Sequence, residues 1–274
     1  MKPRIAVIQF PGVNCEYETR MAVEESGMDG AIVRWNQPAL LEKFDGFILP
    51  GGFSYQDRVR AGAVAAADDV IEVVMKQAGL GKPVVGICNG AQVLVEAGLV
   101  PDLNQGQIDL ALAPNTGMGR EGYYANWVFV RVTDDPYRCV ATYGLDPGEV
   151  LPIPVAHSEG RFTSSRPSVF DRLDREGRIV FRYCESEGRP ACGFPSDPNG
   201  SERQAAGISN RRGNVVAMMP HPERAFWLRQ VPEELDSLWA RRKIASRGRV
   251  AGGAEEGPCA RVFHSIREYI RSCL

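Results

Sequence analysis

The chain has 274 residues, 44% of them hydrophobic, enough to bury the core of one large domain or two small ones, and one is expected. Its 32 Lys and Arg nearly cancel its 34 Asp and Glu, so the balance calls for no nucleic acid, anionic membrane surface or acidic tail. The apolar N-terminal run breaks at Pro11, short for a signal segment, and no stretch approaches the roughly 20 apolar residues of a membrane span, so a soluble protein with a small-molecule or protein partner is expected.

The first half alternates strands and helices. RIAVIQF (4–10) reads as a strand, the stretch near 15–27 as a helix, then AIVRW (31–35) and FDGFILP (44–50) as strands. Short β-rich runs separated by helical patterns imply parallel strands buried on both faces. Past Gly51 and Gly52, the run RAGAVAAADDVIEVVMKQAG (60–79) has the Ala and Val spacing of a helix packed on a sheet. KPVVGIC (82–88) is the next strand, and AQVLVEAG the next helix. This is a doubly wound α/β order, whose ligands bind at the carboxyl ends of the strands. Pro50-Gly51-Gly52 and Cys88 both fall at such ends.

From about 107 the texture changes to strand-like runs with little helix between them: IDLALAP, YYANWVFVRV, LPIPVAH, RIVFRYC, QAAGISN and NVVAMM. They are expected as antiparallel additions to the same sheet, with NRRGN (210–214) as a tight hairpin turn. A polar loop near 246–258 precedes an amphipathic C-terminal helix over 259–272, with Val262, Phe263, Ile266, Tyr269 and Ile270 at helical spacing. The domain expected is therefore the whole chain, 1–274.

Seven cysteines are scattered, odd in number and without a CxxC pair, which suggests neither a disulfide framework nor a zinc knuckle and suits a reducing cytosol. Only three histidines are present, His157, His221 and His264, so candidates for a catalytic base are few. The sharpest local signal is Gly86-Ile87-Cys88-Asn89-Gly90, set between a buried strand and a helix. Gly-x-nucleophile-x-Gly in that context is a nucleophile elbow, a turn so tight that its flanks must lack side chains. The positive end of the following helix favours the thiolate. The other six cysteines are read as structural.

A thiolate nucleophile needs a base, and the base needs a group that fixes its tautomer. Pro220-His221-Pro222-Glu223 follows the apolar strand VVAMM, and its prolines are expected to hold an extended backbone that sets His221 and Glu223 on one side. Glycines at Gly51 and Gly52 let a backbone N–H approach a substrate closely, so the oxyanion donors are assigned to the N–H groups of Gly52 and Asn89.

These residues resemble the class I, triad-type glutamine amidotransferases, through PGGFSYQDRVRAG (50–62), GICNGAQ (86–92), PVAHSEGRF (154–162), DPNGSERQAAG (197–207) and MMPHPERA (218–225). The FSY after the double glycine, the PNGS run and the HPER ending look most like the glutaminase subunits of phosphoribosylformylglycinamidine synthase. The resemblance implies the flavodoxin-like fold of that family, with Cys88 attacking the glutamine amide. It makes His221 the general acid and base, Glu223 its orienter, and Gln92 and His157 glutamine-binding. It also implies ammonia transfer to a synthetase subunit, with a small accessory subunit, in cytoplasmic purine biosynthesis. No cofactor or metal is expected in this chain; ATP and magnesium are expected on the synthetase, in keeping with the lack of a GxxxxGK[ST] loop here. The alternatives are a glutaminase for another acceptor, a Cys peptidase or deglycase-like relative, which more often has His after the nucleophile, and a non-catalytic binding module. Gln56 stands where the subfamily usually has glycine in FSYGD, so a different turn is expected there. The segment 228–257 is longer than the family core requires.

Overall fold

The computed structural model describes residues 1–104, 107–117, 122–246 and 255–274. Residues 247–254, most of the expected polar loop, lie outside them. The strands are β1 (Arg4–Gln9), β2 (Asp29–Arg34), β3 (Gly46–Leu49), β4 (Val84–Ile87), β5 (Ala111–Ala113), β6 (Tyr124–Val132), β7 (Val150–His157), β8 (Arg161–Thr163), β9 (Ile179–Cys184), β10 (Ala205–Ser209) and β11 (Val215–Met218). The helices are α1 (Glu16–Glu25), α2 (Ala63–Ala66), α3 (Asp69–Gly79), α4 (Asn89–Glu96), α5 (Ser168–Arg175), α6 (Leu238–Ser246) and α7 (Ala260–Cys273).

Nine strands form one sheet in the order β2-β1-β3-β4-β11-β10-β9-β6-β7. The pairs from β2 through β11 are parallel and those from β11 through β7 antiparallel. The chain moves outward one way from β1 to β2 and the other way from β3 to β4. Right-handed crossovers therefore put α1 and α3 on opposite faces, and a crevice opens at the carboxyl ends of β1, β3 and β4, where the winding reverses. The four residues of β3 and of β4 are all buried, as are Ile5 to Ile8 of β1, which is why these strands read as unbroken apolar runs.

Three details depart from the reading of the sequence. The long helix over 60–79 is two helices broken at Ala67 and Asp68, where the backbone of Asp68 is extended and its carboxylate accepts from the Tyr55 hydroxyl at 2.7 Å. The IDLALAP run contributes β5 to a separate two-stranded sheet with β8. The second half also holds α5 and α6, which the strand-like texture hid. Helix α5, eight residues long, buries Val169, Phe170 and Leu173 among charged residues, and α6, nine residues long, buries only Ala240, so both are short elements among longer strand-like runs.

The far edge of the sheet is the strand β7, and its prolines fit there. Pro152 and Pro154 lack the N–H a central strand must donate. The Pro154 carbonyl instead accepts from the His221 N–H at 2.8 Å. The Ala156 carbonyl accepts from the Cys88 thiol at 3.5 Å. Strands β4 and β7 are five places apart in the sheet order, about 24 Å if the sheet were flat, so twist and curl have carried the β7 edge back over the end of β4.

The excursion after residue 227 closes on itself. Leu228 N–H donates to the Glu255 carbonyl at 2.7 Å and Gly257 N–H to the Phe226 carbonyl at 2.6 Å, with Leu228, Val231 and Ala240 in a small cluster of their own. The chain thus returns to begin α7, whose Val262, Phe263, Ile266, Tyr269 and Ile270 are all buried. Among the described residues, no helix is long and apolar enough to cross a membrane.

The small sheet is tied to β7 through Asn115, whose Nδ2 donates to the His157 carbonyl at 2.9 Å and whose Oδ1 faces His157 Nδ1 at 3.1 Å. Because Oδ1 can only accept, His157 Nδ1 carries the hydrogen. Burial, with the nearby charge of His221, lowers the His157 pKa from 6.5 to about 3. In the unfolded chain the same ring takes its proton near pH 6.5, so stability is whole above that pH and lost as pH falls toward 3. The expected slope from this ring is up to about 1.4 kcal/mol per pH unit. Acid unfolding of the wild type and of His157→Gln checks it, the variant showing the shallower pH dependence.

The elbow makes a second prediction. A Cβ on Gly90 would lie 1.9 Å from the Leu49 carbonyl oxygen and one on Gly86 2.5 Å from that of Gly90, so α4 sits on β3 and β4 with no room for a methyl group. Gly90→Ala is expected to destabilise the chain by about 1–3 kcal/mol or more, read as a lowered thermal midpoint by calorimetry.

Candidate active site

Cys88 lies between β4 and α4 with φ 51° and ψ −107°, a left-handed strain of roughly 1–3 kcal/mol that packing must hold. The packing comes from the two glycines and from β11. Strands β4 and β11 pair in parallel with Ile87 opposite Met218, and the Cys88 N–H donates to the Met218 carbonyl at 2.8 Å. His221 follows three residues later. The expected nucleophile and its expected base are thus carried by adjacent strand ends, although they stand 133 positions apart in the sequence.

His221 and Glu223 meet as expected, but by a different route. The backbone of His221 is extended, while Pro222–Arg224 form a 3₁₀ turn, and this turn folds the carboxylate back onto the ring. His221 Nδ1–H donates to Glu223 Oε1 at 2.6 Å, the length of a charge-assisted bond. The two side chains are 2% and 0% exposed, so water cannot compete for the carboxylate. Burial pulls the His221 pKa down, but the Glu223 carboxylate and the sulfurs of Cys88 and Cys15 outweigh it, and the ring holds its proton well above the ordinary range.

Gly51 is the point on which the site converges. A Cβ there would lie 2.6 Å from His221 Cε1, 3.3 Å from Cys15 Sγ and 3.4 Å from Cys88 Cβ, so its missing side chain is the space the imidazole fills. Gly52 is shaped by a different contact: a Cβ would meet Val13 Cα at 2.6 Å, because the loop after β1 bridges to it. Gly52 lines the same small cleft as Cys88 and His221. Asn89 opens α4, in the first turn, where backbone N–H groups have no intrahelical partner.

The Asn89 side chain is buried and ties the loop after β3 to α4. Its Oδ1 accepts from the Ser54 N–H at 3.0 Å, and its Nδ2 donates to Asp57 at 3.3 Å and to Gln92 Oε1 at 2.9 Å. In that loop Gln56 has φ 61° and ψ 28°, in the left-handed region that favours glycine.

Gln92 and His157, expected to bind glutamine, are both buried, outside the residues that line the ≈30 Å³ cleft. Gln92 is buried, with its Nε2 donating to the Glu159 carbonyl at 2.8 Å. His157 faces the core side of β7, its ring held against Gly160. His264, read as structural, lies on α7 against Glu256 at 3.2 Å.

The sequence missed two others. Cys15 and Arg224 both line the cleft with Cys88 and His221, and Arg224 Nη2 donates to Cys15 Sγ at 3.0 Å. Burial raises the Cys15 thiol pKa against the opposing effect of the neighbouring His221 ring. Cys15 could have been found from its position, since it ends the loop at the carboxyl end of β1, on the same crevice as Cys88. Phe53 and Tyr123, with ring centroids 6.3 Å apart, stand at the mouth. A thiol on a strained elbow beside an imidazole oriented by a buried carboxylate is equipped for nucleophilic attack at a carbonyl followed by proton transfer.

Known proteins are similar to this chain over nearly its whole length. The model of the CobB/CobQ-like glutamine amidotransferase domain matches residues 2–270. A Methanothrix thermoacetophila protein, "phosphoribosylformylglycinamidine synthase subunit PurQ", is 47% identical over 273 residues, covering 97% of this chain and 98% of that one. A Thermus thermophilus protein of the same name is 42% identical over 222 residues, 81% of this chain and 89% of its own. A chain in the solved structure of PurLQS from Thermotoga maritima superposes with a TM-score of 0.71 at 32% identity, covering 98% of this chain and all of that one. The chain belongs to the CobB/CobQ-like glutamine amidotransferase family.

Proposed function

We propose that this chain is the glutaminase subunit of phosphoribosylformylglycinamidine synthase, hydrolysing glutamine to glutamate and ammonia for a synthetase subunit. The observation that carries this reading is the buried His221–Glu223 pair beside the elbow thiol of Cys88, in a chain 47% identical to a protein named PurQ. The chain works with the synthetase subunit, as the PurLQS assembly of the similar Thermotoga chain supports, and we add a small accessory subunit to that set. We take residues 1–274 as one amidotransferase domain, and the family match over 2–270 supports this.

In this reading the Cys88 thiolate attacks the side-chain amide carbon of glutamine. The N–H groups of Gly52 and Asn89 receive the developing oxyanion, each such donor contributing roughly 10²–10³ in rate. His221, which holds its proton well above the ordinary imidazole range, gives that proton to the departing ammonia. The neutral ring then takes a proton from water, which attacks the thioester and releases glutamate. Glu223 fixes the tautomer throughout and balances the imidazolium. Gln92 and His157 support the substrate pocket from behind its wall, through the Asn89 side chain and the 157–160 loop. No cofactor is needed for these steps; ATP and magnesium belong to the synthetase. The seven free thiols suit the cytoplasm, where we place the protein.

Two outcomes test the assignment in the complex reconstituted with its synthetase, formylglycinamide ribonucleotide and ATP. Cys88→Ala is expected to abolish product formation from glutamine while leaving synthesis from added ammonium salt intact; glutamine-driven synthesis by the variant would overturn the nucleophile. Glu223→Gln is expected to lower glutamine-dependent kcat by roughly 10⁴-fold, the cost of the wrong tautomer in a triad, measured by glutamate release.

A further inference from the structure

The loop that carries Gly52 turns through three consecutive non-glycine residues of positive φ, Tyr55 at 53°, Gln56 at 61° and Asp57 at 52°. Backbone of this kind persists only where its surroundings hold it. The loop after β1 holds one side: Phe53 N–H donates to the Gly12 carbonyl at 2.9 Å and Tyr55 N–H to the Pro11 carbonyl at 2.7 Å. Ser54, between them, donates its N–H instead to Asn89 Oδ1 at 3.0 Å. Asn89 Nδ2 in turn donates to Asp57 Oδ1 at 3.3 Å, at the far end of the left-handed run, and to Gln92 Oε1 at 2.9 Å, one turn along α4. One side chain thus grips the turn at both ends.

Because the Ser54 N–H can only donate, the side-chain oxygen of Asn89 must face it, and both hydrogens of the amide are then used on Asp57 and Gln92. Asn89 is buried, so water does not compete for these bonds. The same residue opens α4, where its backbone N–H has no intrahelical partner, and Gly52 stands two residues before Ser54. We propose that the Asn89 side chain is a positioning residue of the oxyanion hole: it clamps the loop 54–57 to the first turn of α4 and so fixes the Gly52 N–H relative to the Asn89 N–H. Without the clamp the loop is referred to β1 through Gly12 and Pro11, while the second donor stays with the elbow, and the two N–H groups no longer share one frame. An oxyanion needs both donors at about 2.7–3.1 Å together, so drift of one is felt in attack on a carbonyl and not in the reactivity of the thiolate itself. The proposal rests on the reading of Gly52 and Asn89 as the donors that serve Cys88.

The complex with the synthetase, formylglycinamide ribonucleotide and ATP is assayed for glutamate release, and alkylation of Cys88 by iodoacetamide is followed on its peptide by mass spectrometry. Iodoacetamide loses iodide from a saturated carbon as the sulfur bonds to it, so this reaction reads the thiolate and the elbow without forming an oxyanion. Asn89→Ala is expected to lower kcat for glutamine by about 10²-fold, the scale of one lost donor, with alkylation kept within about threefold and ammonia-driven synthesis intact. A kcat within about threefold of wild type would overturn the clamp, and a rise in KM alone would show that the side chain acts on binding through Gln92 instead. Alkylation that slows in step with kcat would also overturn it, by placing the fault in the elbow. The exchange of Asn89→Asp with Asp57→Asn keeps an acceptor for the Ser54 N–H and reverses the bond to position 57, so it answers the same question if the alanine variant does not fold. Its kcat is expected at least about tenfold above that of Asn89→Asp alone, where two carboxylates face each other, and equal values would overturn the clamp. Glutamate release by Cys88→Ala would overturn the triad reading and the clamp with it, whereas an inert Cys88→Ala beside a wild-type rate in Asn89→Ala would overturn the clamp alone.

Discussion

The parallel pairing of β4 with β11 is the constraint on which the rest of the site depends. It sets Ile87 against Met218 and lets the Met218 carbonyl take the Cys88 N–H. That one bond fixes the strained elbow and, three residues onward, fixes where His221 must stand. A register slip would not merely loosen the site. It would turn the side chains of β11 to the other face of the sheet and carry the His221–Glu223 pair away from the thiol.

Close packing then makes the pairing unyielding. Gly86 against Gly90, Gly90 against Leu49, and Gly51 against His221 leave no space for a methyl group at any of the three. Such contacts offer little hydrophobic gain of their own. They let α4 and the imidazole approach so closely that only one arrangement fits, which is how a residue with φ 51° is kept in place. Burial of Glu223 adds the electrostatic half, because a carboxylate sealed from water polarises the imidazole beside it far more than an exposed one would.

The curled antiparallel half of the sheet closes the site from the other side. Strand β7 brings the Ala156 carbonyl to the Cys88 thiol and the Pro154 carbonyl to the His221 N–H. Its prolines suit an edge that no further strand extends, and the segment after β11 occupies that edge instead. The same loop architecture sets Cys15 and Arg224 in the lining of the cleft beside Cys88 and His221.

The sequence by itself determined the parallel half of the fold and singled out Cys88 and His221 as the candidate reacting groups, because both are written in local pattern. Apolar runs of four to six residues declare strands buried on both faces, Gly86 and Gly90 declare the elbow, and the scarcity of histidines leaves His221 with few rivals. Tertiary structure decided what depends on residues distant along the chain. It turned the His221–Glu223 approach from an extended segment into a 3₁₀ turn, set β5 and β8 apart as their own sheet, and revealed α5 and α6, short helices among strand-like runs. It put Gln56 in a left-handed conformation, and it buried Gln92 and His157. Cys15 shows the reason most plainly: its neighbours in space are Gly51, His221 and Arg224, and only the winding of the sheet brings those four residues together.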